Sequence, residues 1–359
     1  HARRHVAGDH RKAEAAHQQF AQRVAAVADD HHPRGGLAGD GKIAGDAVDE
    51  EADGDQTEAE RELGRDRNIL AAAAGGITGV ALMPNTEPPI HSKAEVSYIV
   101  NKTRESLVDV LPIGTISFNR EGKNLGEMFD MQQSGAVAFS DGNRPVADAG
   151  LMSRALLYAK GFDGLIFSYA EDAGLAANGK MNEGIMSTLL GLKGNPALAE
   201  ELMIARDLYL AEYNDTRIHF STVSTERSVE LIRQAKKRGL LVTCDVAVHH
   251  LIFSEDELAG FDSLYKVKPP LRTKTDIQAL LNGLHDGTID ALVSQHTPHE
   301  IEFKNVEFER ADNGITGLQT LFPLALRAGL SVEEIVEKLA VNPRKILDLE
   351  IPMIKAGEK

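Results

Sequence analysis

Asp286-Gly-Thr-Ile-Asp-Ala-Leu-Val-Ser-Gln-His-Thr-Pro-His299 decides how the rest of this chain is read. Its apolar centre, Ile289-Asp-Ala-Leu-Val293, is a strand, and Gln295, His296 and His299 follow at its carboxyl end. In a parallel α/β barrel the carboxyl ends of the strands form the floor of the active site. Histidine beside an acidic residue there is the arrangement of metal-assisted hydrolysis. The acid is missing, because Gln295 stands where that chemistry wants a carboxylate.

Working outward, the same kind of segment recurs. Strands are predicted at Thr78 to Met83, Asp109 to Ile116, Ala136 to Phe139, Gly164 to Phe167, Arg217 to Phe220 and Leu240 to Val246, which with Ile289 to Val293 makes seven. Helical patterns separate most of them, as at Ile69 to Ala74, Lys93 to Ser106, Ala197 to Tyr213, Ser228 to Arg238 and Lys274 to Leu284. Strand alternating with helix at this spacing predicts βα units and a parallel sheet. An eight-stranded barrel takes roughly 250 residues, and the 359 residues accommodate one with some excess. The eighth strand is expected before Asn68.

Residues 1–67 read differently. They are dense in Ala, Asp, Gly, His and Arg, hold one aromatic residue (Phe20), and keep neither a period of 2 nor one of 3.6. Such a composition buries too little apolar surface to offset chain entropy, so a disordered or foreign segment is expected. His31 and His32 are adjacent, without the spacing or the strand of a metal pair. At the other end, Asn342-Pro-Arg-Lys-Ile-Leu begins as a helix, and Ile351 to Lys359 reads as the approach to a further strand. The expected division is therefore 1–67, a barrel over 68–347, and a terminal piece over 348–359.

Composition excludes several classes of function. A formal net charge of −15 repels a phosphate backbone, so nucleic acid is not an expected partner. The single cysteine, Cys244, rules out an intramolecular disulfide and fits a reducing compartment. Its setting in Leu240-Leu-Val-Thr-Cys-Asp-Val246 predicts an inert core thiol. Neither an apolar run of membrane-spanning length nor a signal core is present, which makes the cytoplasm the expected location.

Short motifs follow the strands in a definite order: Met83-Pro-Asn-Thr-Glu-Pro-Pro89, Phe139-Ser-Asp141, Ala170-Glu-Asp172, Val223-Ser-Thr225, His249-His-Leu251, Lys266-Val-Lys-Pro-Pro-Leu-Arg272, Asp286-Gly-Thr-Ile-Asp290 and Gly314-Ile-Thr-Gly-Leu318. In this order and spacing they resemble the dihydroorotases of the cyclic amidohydrolase superfamily, across roughly Asn68 to Lys359. The resemblance implies a metal-dependent (β/α)8 barrel of the TIM type that interconverts dihydroorotate and N-carbamoyl-L-aspartate. In that family zinc polarises the ring amide and supplies hydroxide, while a strand-end Asp shuttles the proton. An accessory β-sandwich built from both chain ends is also implied, and neither end supplies it in recognisable form.

The implied ligands can be traced one at a time. The first-strand His-x-His, and the Arg that grips the substrate carboxylate, have no counterpart before Asn68. The metal-binding acid after Phe139 falls on Gly142, beside Asp141. The His before Ala-Glu-Asp falls on Tyr169, and the His before Val-Ser-Thr on Thr222, with His219 on the other strand parity. The catalytic Asp falls on Gln295. Among the family's substrate contacts Asn85 and His299 match, whereas the Asn before Pro-Pro-Leu-Arg is Lys268, a cation able to hold a carboxylate. Zinc needs three or four His or carboxylate ligands, so no metal is expected at these positions, and zinc only if the family site is retained in another form. His249 and His250 are expected to cap or pack at a strand end, and Glu171 and Asp172 to be structural. His296 and His299 remain candidates for an anionic ligand.

The main expectation is a dihydroorotase-like protein with a degraded metal site, acting as a binding or scaffold subunit for a small anion or for aspartate carbamoyltransferase, and dimeric. The alternative is an active dihydroorotase, or another cyclic amidase, working through Asp141, His219, His296 and His299. A third reading is a chain damaged at its ends.

Overall fold

The computed structural model describes residues 67–352. Its main sheet has seven parallel strands: β1 (Gly79–Leu82), β2 (Asp109–Gly114), β3 (Ala138–Phe139), β4 (Ile166–Tyr169), then, after the small pair β5 (Met181–Asn182) and β6 (Gly194–Asn195), β7 (Ile218–Ser221), β8 (Val242–Ala247) and β9 (Ala291–Val293). Neighbours run β1-β2-β3-β4-β7-β8-β9, so the chain winds steadily from one edge to the other. This is the α/β barrel architecture that the alternation of strands and helices predicts. The strand expected before Asn68, His31 and His32, and the chain end from residue 353 lie outside the described residues. Among those residues no helix is long and apolar enough to cross a membrane.

Period-2 alternation assigns the two faces. Ile218 pairs with Val242 and Phe220 with Cys244, and these side chains lie outward in the large core cluster. They meet Met203, Ile204 and Leu208 of the helix Ala197–Asn214, and Val229, Ile232 and Ala235 of the helix Glu226–Lys237. Each large apolar side chain buried there contributes about 1.5–3 kcal/mol. His219 pairs with Thr243 between those rows, and Asp245 follows on the same parity. The face turned away from the helices is thus partly polar.

Helix ends are set by local chemistry. Thr225 caps the helix Glu226–Lys237 by accepting from Ser228 N, with Glu226 in the first turn and Lys236 and Lys237 in the last. The helix predicted to reach Ser106 stops at Lys102, because Thr103 turns its hydroxyl back onto the Ile99 carbonyl. The strand predicted as Gly164 to Phe167 runs instead from Ile166 to Tyr169, which places Tyr169 on the strand itself. The β5 and β6 pair was not legible, since two-residue strands carry no periodicity.

Candidate functional site at the strand ends

The carboxyl ends of β1, β3, β4, β7, β8 and β9 deliver Asn85, Asp141 with Gly142, Tyr169 with Glu171, Thr222, His249 and Gln295 to one end of the sheet. Lys268 reaches the same end from the loop between β8 and β9. Its ammonium lies 2.8 Å from Glu171 Oε1 and 5.8 Å from the centre of the Tyr169 ring. The Gln295 amide donates to the Lys268 carbonyl at 2.8 Å, so the loop and the end of β9 are tied together. Gln295 itself sits at φ 46, which turns the chain sharply as the strand ends.

Every carboxylate around this end already has partners. Asp141 accepts from the Ile116 and Ser117 amides at 3.0 Å each and from the Ser117 hydroxyl. Burial nevertheless raises its pKa, with the Ser117 bonds opposing. Asp245 accepts from Thr222 N at 2.7 Å and from His219 Nε2 at 3.0 Å, and His219 Nδ1 meets the Thr243 hydroxyl at 2.8 Å. Glu200 accepts from the Ser224 amide and hydroxyl and faces Arg272. Glu171 accepts from Asn195 Nδ2 at 3.0 Å as well as from Lys268. Arg272 is consumed within the fold, donating to Asn182, Ser224 and the Asn195 carbonyl.

Several polar groups here lack partners. The Tyr169 hydroxyl, Asn195 Oδ1 and both ring nitrogens of His249 are buried without a hydrogen bond. Tyr169 lies near Glu171, and His249 near Gln295, but neither pair reaches hydrogen-bond geometry. Burial, then the neighbouring Glu171 and Glu200, pushes the Tyr169 phenol well above its usual pKa. Burial, then the adjacent His250, pushes His249 well below 6.5. At neutral pH both are uncharged.

The remaining residues singled out in the sequence are placed as follows. Asn85 stands over Gly142: a Cβ added there would meet Asn85 Oδ1 at 3.1 Å and Arg120 Nη2 at 3.4 Å. Thr222 adopts φ 57 and spends its amide on Asp245. The His219 ring faces the inner side, stacked on Phe167 at 4.2 Å between centroids. His249 and His250 lie in the 3-10 turn Val248–Leu251, and His250 Nε2 meets the Pro269 carbonyl at 3.1 Å, which is the packing role expected of them. Asp172 caps the helix Ala173–Ala176. His296 accepts from Gly317 N through Nδ1 and meets Asn68 Oδ1 through Nε2. His299 Nε2 meets the Asn313 carbonyl at 3.0 Å, so both histidines contact the 313–318 loop, and His296 also meets Asn68. Cys244 is buried, and desolvation raises its thiol pKa steeply. Sequence reasoning did not single out Asp245, Glu200, Asn195 or Arg120; the one signal available was the polar parity of Thr243 and Asp245 within an apolar strand.

Zinc does not fit this donor set. No group of three or more His, Cys, Asp or Glu among the described residues is placed to hold a metal. The nearby carboxylates are taken by amides, hydroxyls and cations, and Gly142, Tyr169, Thr222 and Gln295 offer no good ligand. The family's first-strand donors would fall before Asn68, outside the described residues. A cleft of about 360 Å³ touches Glu171, Leu202, Met203 and Arg206 but not Tyr169, Lys268 or Gln295, so it meets the strand-end groups only at Glu171.

Comparison with known proteins decides the relationship. The chain is 46% identical over 294 residues to a protein named dihydroorotase from Acetivibrio thermocellus, covering 80% of this chain and 69% of that one. It belongs to the dihydroorotase family. The family described as dihydro-orotase-like matches residues 56–228. A dihydroorotase from Geotalea daltonii is 47% identical over 293 residues, again covering 80% of this chain and 69% of that one. Among solved structures, an L-hydantoinase (dihydropyrimidinase) from Arthrobacter aurescens superposes with a TM-score of 0.67 at 26% identity, over 78% of this chain; the chain spans 65% of that protein. A dihydroorotase from Saccharomyces cerevisiae, in complex with 5-fluoroorotic acid, matches in fold with a TM-score of 0.64 at 16% identity, over 79% of each chain. As a member of the dihydroorotase family, this chain keeps the barrel while its strand-end positions differ from the metal set that the resemblance implies.

Proposed function

We propose that this chain serves the dihydroorotate step of pyrimidine biosynthesis, as a dihydroorotase interconverting dihydroorotate and N-carbamoyl-L-aspartate. The observation that carries this reading is 46% identity, across 80% of the chain, to a protein named dihydroorotase. Within the described residues, Asn85 and Lys268 are the groups available to hold the substrate, the first by its amide and the second by its charge. The test is hydrolysis of dihydroorotate by the purified chain with added zinc, with a chelator control and a family enzyme as reference. A chelator-sensitive rate supports the reading; no rate from folded protein overturns it.

A second reading is favoured by one observation, the occupation of the family's ligand and proton-shuttle positions by Gly142, Tyr169, Thr222 and Gln295. On this reading the chain is a homodimeric binding subunit that retains the ligand class and associates with aspartate carbamoyltransferase. Co-sedimentation with that enzyme, together with absent turnover, is its signature.

A further inference from the structure

We propose that Lys266 and Lys304 are positioning residues that fasten residues 305–314 as a strap beside the strand-end face, and that this strap opens as a unit, releasing His299, while the barrel stays folded. The inference concerns a moving part of the fold and does not depend on turnover.

Three observations carry it. First, residues 305–314 form neither helix nor strand, so their carbonyls have no ladder to join, and buried carbonyls need donors. Two buried ammoniums supply them. Lys266, 3% exposed, donates to the carbonyls of Phe308 at 2.6 Å, Glu309 at 3.1 Å and Ala311 at 2.5 Å. Lys304, 5% exposed, donates to those of Asp312 at 2.9 Å, Gly314 at 3.0 Å and Lys266 at 3.3 Å. An ammonium has three donors, so both are used in full, almost entirely on the strap.

Second, the strap reaches the strand-end groups. Gly314 N donates to the Lys266 carbonyl at 3.0 Å, two residues before Lys268. The Asn313 carbonyl meets His299 Nε2 at 3.0 Å, and an Asp312 carboxylate oxygen lies 3.7 Å from His299 Nδ1. A Cβ added at Gly314 would collide with the Thr297 carbonyl and stand 2.6 Å from His299 Cδ2, so the strap lies directly on this turn. Third, little else holds it. Phe308 and Ala311 are its buried apolar side chains, whereas Val306 is 42% exposed and the Arg310 side chain 80% exposed. Burial, then the neighbouring Lys180 and Lys304, lowers the Lys266 pKa to about 8, so desolvation offsets part of what the carbonyls contribute. A segment with few buried apolar contacts and a costly buried charge should open at lower cost than global unfolding.

The experiment is limited trypsin digestion of the full chain, with cleavage after Arg310 read by mass spectrometry and labelling of the buried Cys244 as the report of global unfolding. Lys266→Met and Lys304→Met keep much of the side-chain volume but leave buried carbonyls without donors. Each should raise the rate of cleavage after Arg310 by about tenfold or more, in line with the loss of charged hydrogen bonds, with Cys244 labelling unchanged. Modification of His299 by diethyl pyrocarbonate should rise with the cleavage. Lys266→Ala lacks the atoms of n-propylammonium, so adding that cation should slow the cleavage again, and n-propanol, its neutral counterpart, should not. Unchanged cleavage in the folded Met variants, cleavage that rises in step with Cys244 labelling, or equal recovery with n-propanol overturns the inference. Should no variant fold, native-state hydrogen exchange of the wild-type chain decides. Joint release of the Asp312 and Gly314 amides while β7 and β8 stay protected supports the strap; exchange of those amides only together with β7 and β8 overturns it.

Discussion

Asp245 and His219 face each other on adjacent strands with 3.0 Å between Oδ2 and Nε2, both almost fully buried. A carboxylate can only accept, so Nε2 carries the hydrogen, which leaves Nδ1 to accept from the Thr243 hydroxyl in the neutral ring. The second oxygen of Asp245 holds the Thr222 amide where β7 ends. The inner polar face and the shape of a strand end therefore depend on one side chain.

Replacing Asp245 with Ala should destabilise the chain by about 3 kcal/mol, because a buried imidazole and a buried amide both lose their acceptor. Urea denaturation measures this. The His219→Ala and double variants should show coupling of about 1–2 kcal/mol. A loss no larger than that of a surface substitution would show that the pair is not structural.

Gly142→Asp, which restores the acid implied by the family resemblance, should not create a zinc site. Gly142 sits at φ 65, and a Cβ there lies 3.1 Å from Asn85 Oδ1. The left-handed backbone alone costs roughly 1 kcal/mol for a non-glycine residue. Metal analysis of the dialysed variant should read no more zinc than wild type, and its melting temperature should fall.

Acidification should weaken the fold between about pH 6.5 and 4. Burial holds His250 at a pKa of about 4, against an ordinary 6.5, and pushes His249 in the same direction. The folded state thus binds protons less readily than the unfolded chain. Stability is full above the unfolded pKa and falls as pH drops toward the folded one. The His250 shift corresponds to roughly 3 kcal/mol at its limit. Denaturation curves at pH 7, 5.5 and 4.5 should show this decline, and a His250→Gln variant should show a shallower one.

Cys244 should resist thiol reagents in the folded state. It is fully buried, its Sγ contacts the Thr288 carbonyl at 3.4 Å, and desolvation with nearby Asp290 raises its pKa. Labelling should follow global unfolding, with a rate that rises alongside denaturant. Rapid labelling of native protein would place the thiol in a local opening of β8.

The elements legible from sequence were those with a long pattern. Alternation in Arg217 to Phe220 and Leu240 to Val246 located β7 and β8 to within two residues, because half the side chains in each must meet the outer helices. The Ala197 helix was equally plain, with Met203, Ile204, Leu208 and Ala211 on its buried side. The reach of β4 to Tyr169 was not, since Ser168 interrupts the apolar run; its hydroxyl is satisfied by Asp207, a partner 39 residues away.

The candidate site divides the same way. Motif order alone sets Gly142, Tyr169, Thr222 and Gln295 at the positions where the family resemblance implies metal ligands and the proton shuttle, residue types that are poor zinc ligands or bases. The pairing of Lys268 with Glu171, the engagement of His296 and His299 by the 313–318 loop and Asn68, and the unpaired hydroxyl of Tyr169 could not be read there.

The sequence by itself determined the barrel class, through strand and helix periods that are local properties of the chain, and determined the residue types at each strand end. Only the tertiary structure decided which of those residues meet. Lys268 lies 97 positions from Glu171 in the chain yet shares an ion pair with it. Such contacts arise because parallel strands deliver their carboxyl ends to a single face, where charge and hydrogen bonding select partners that no sequence spacing records.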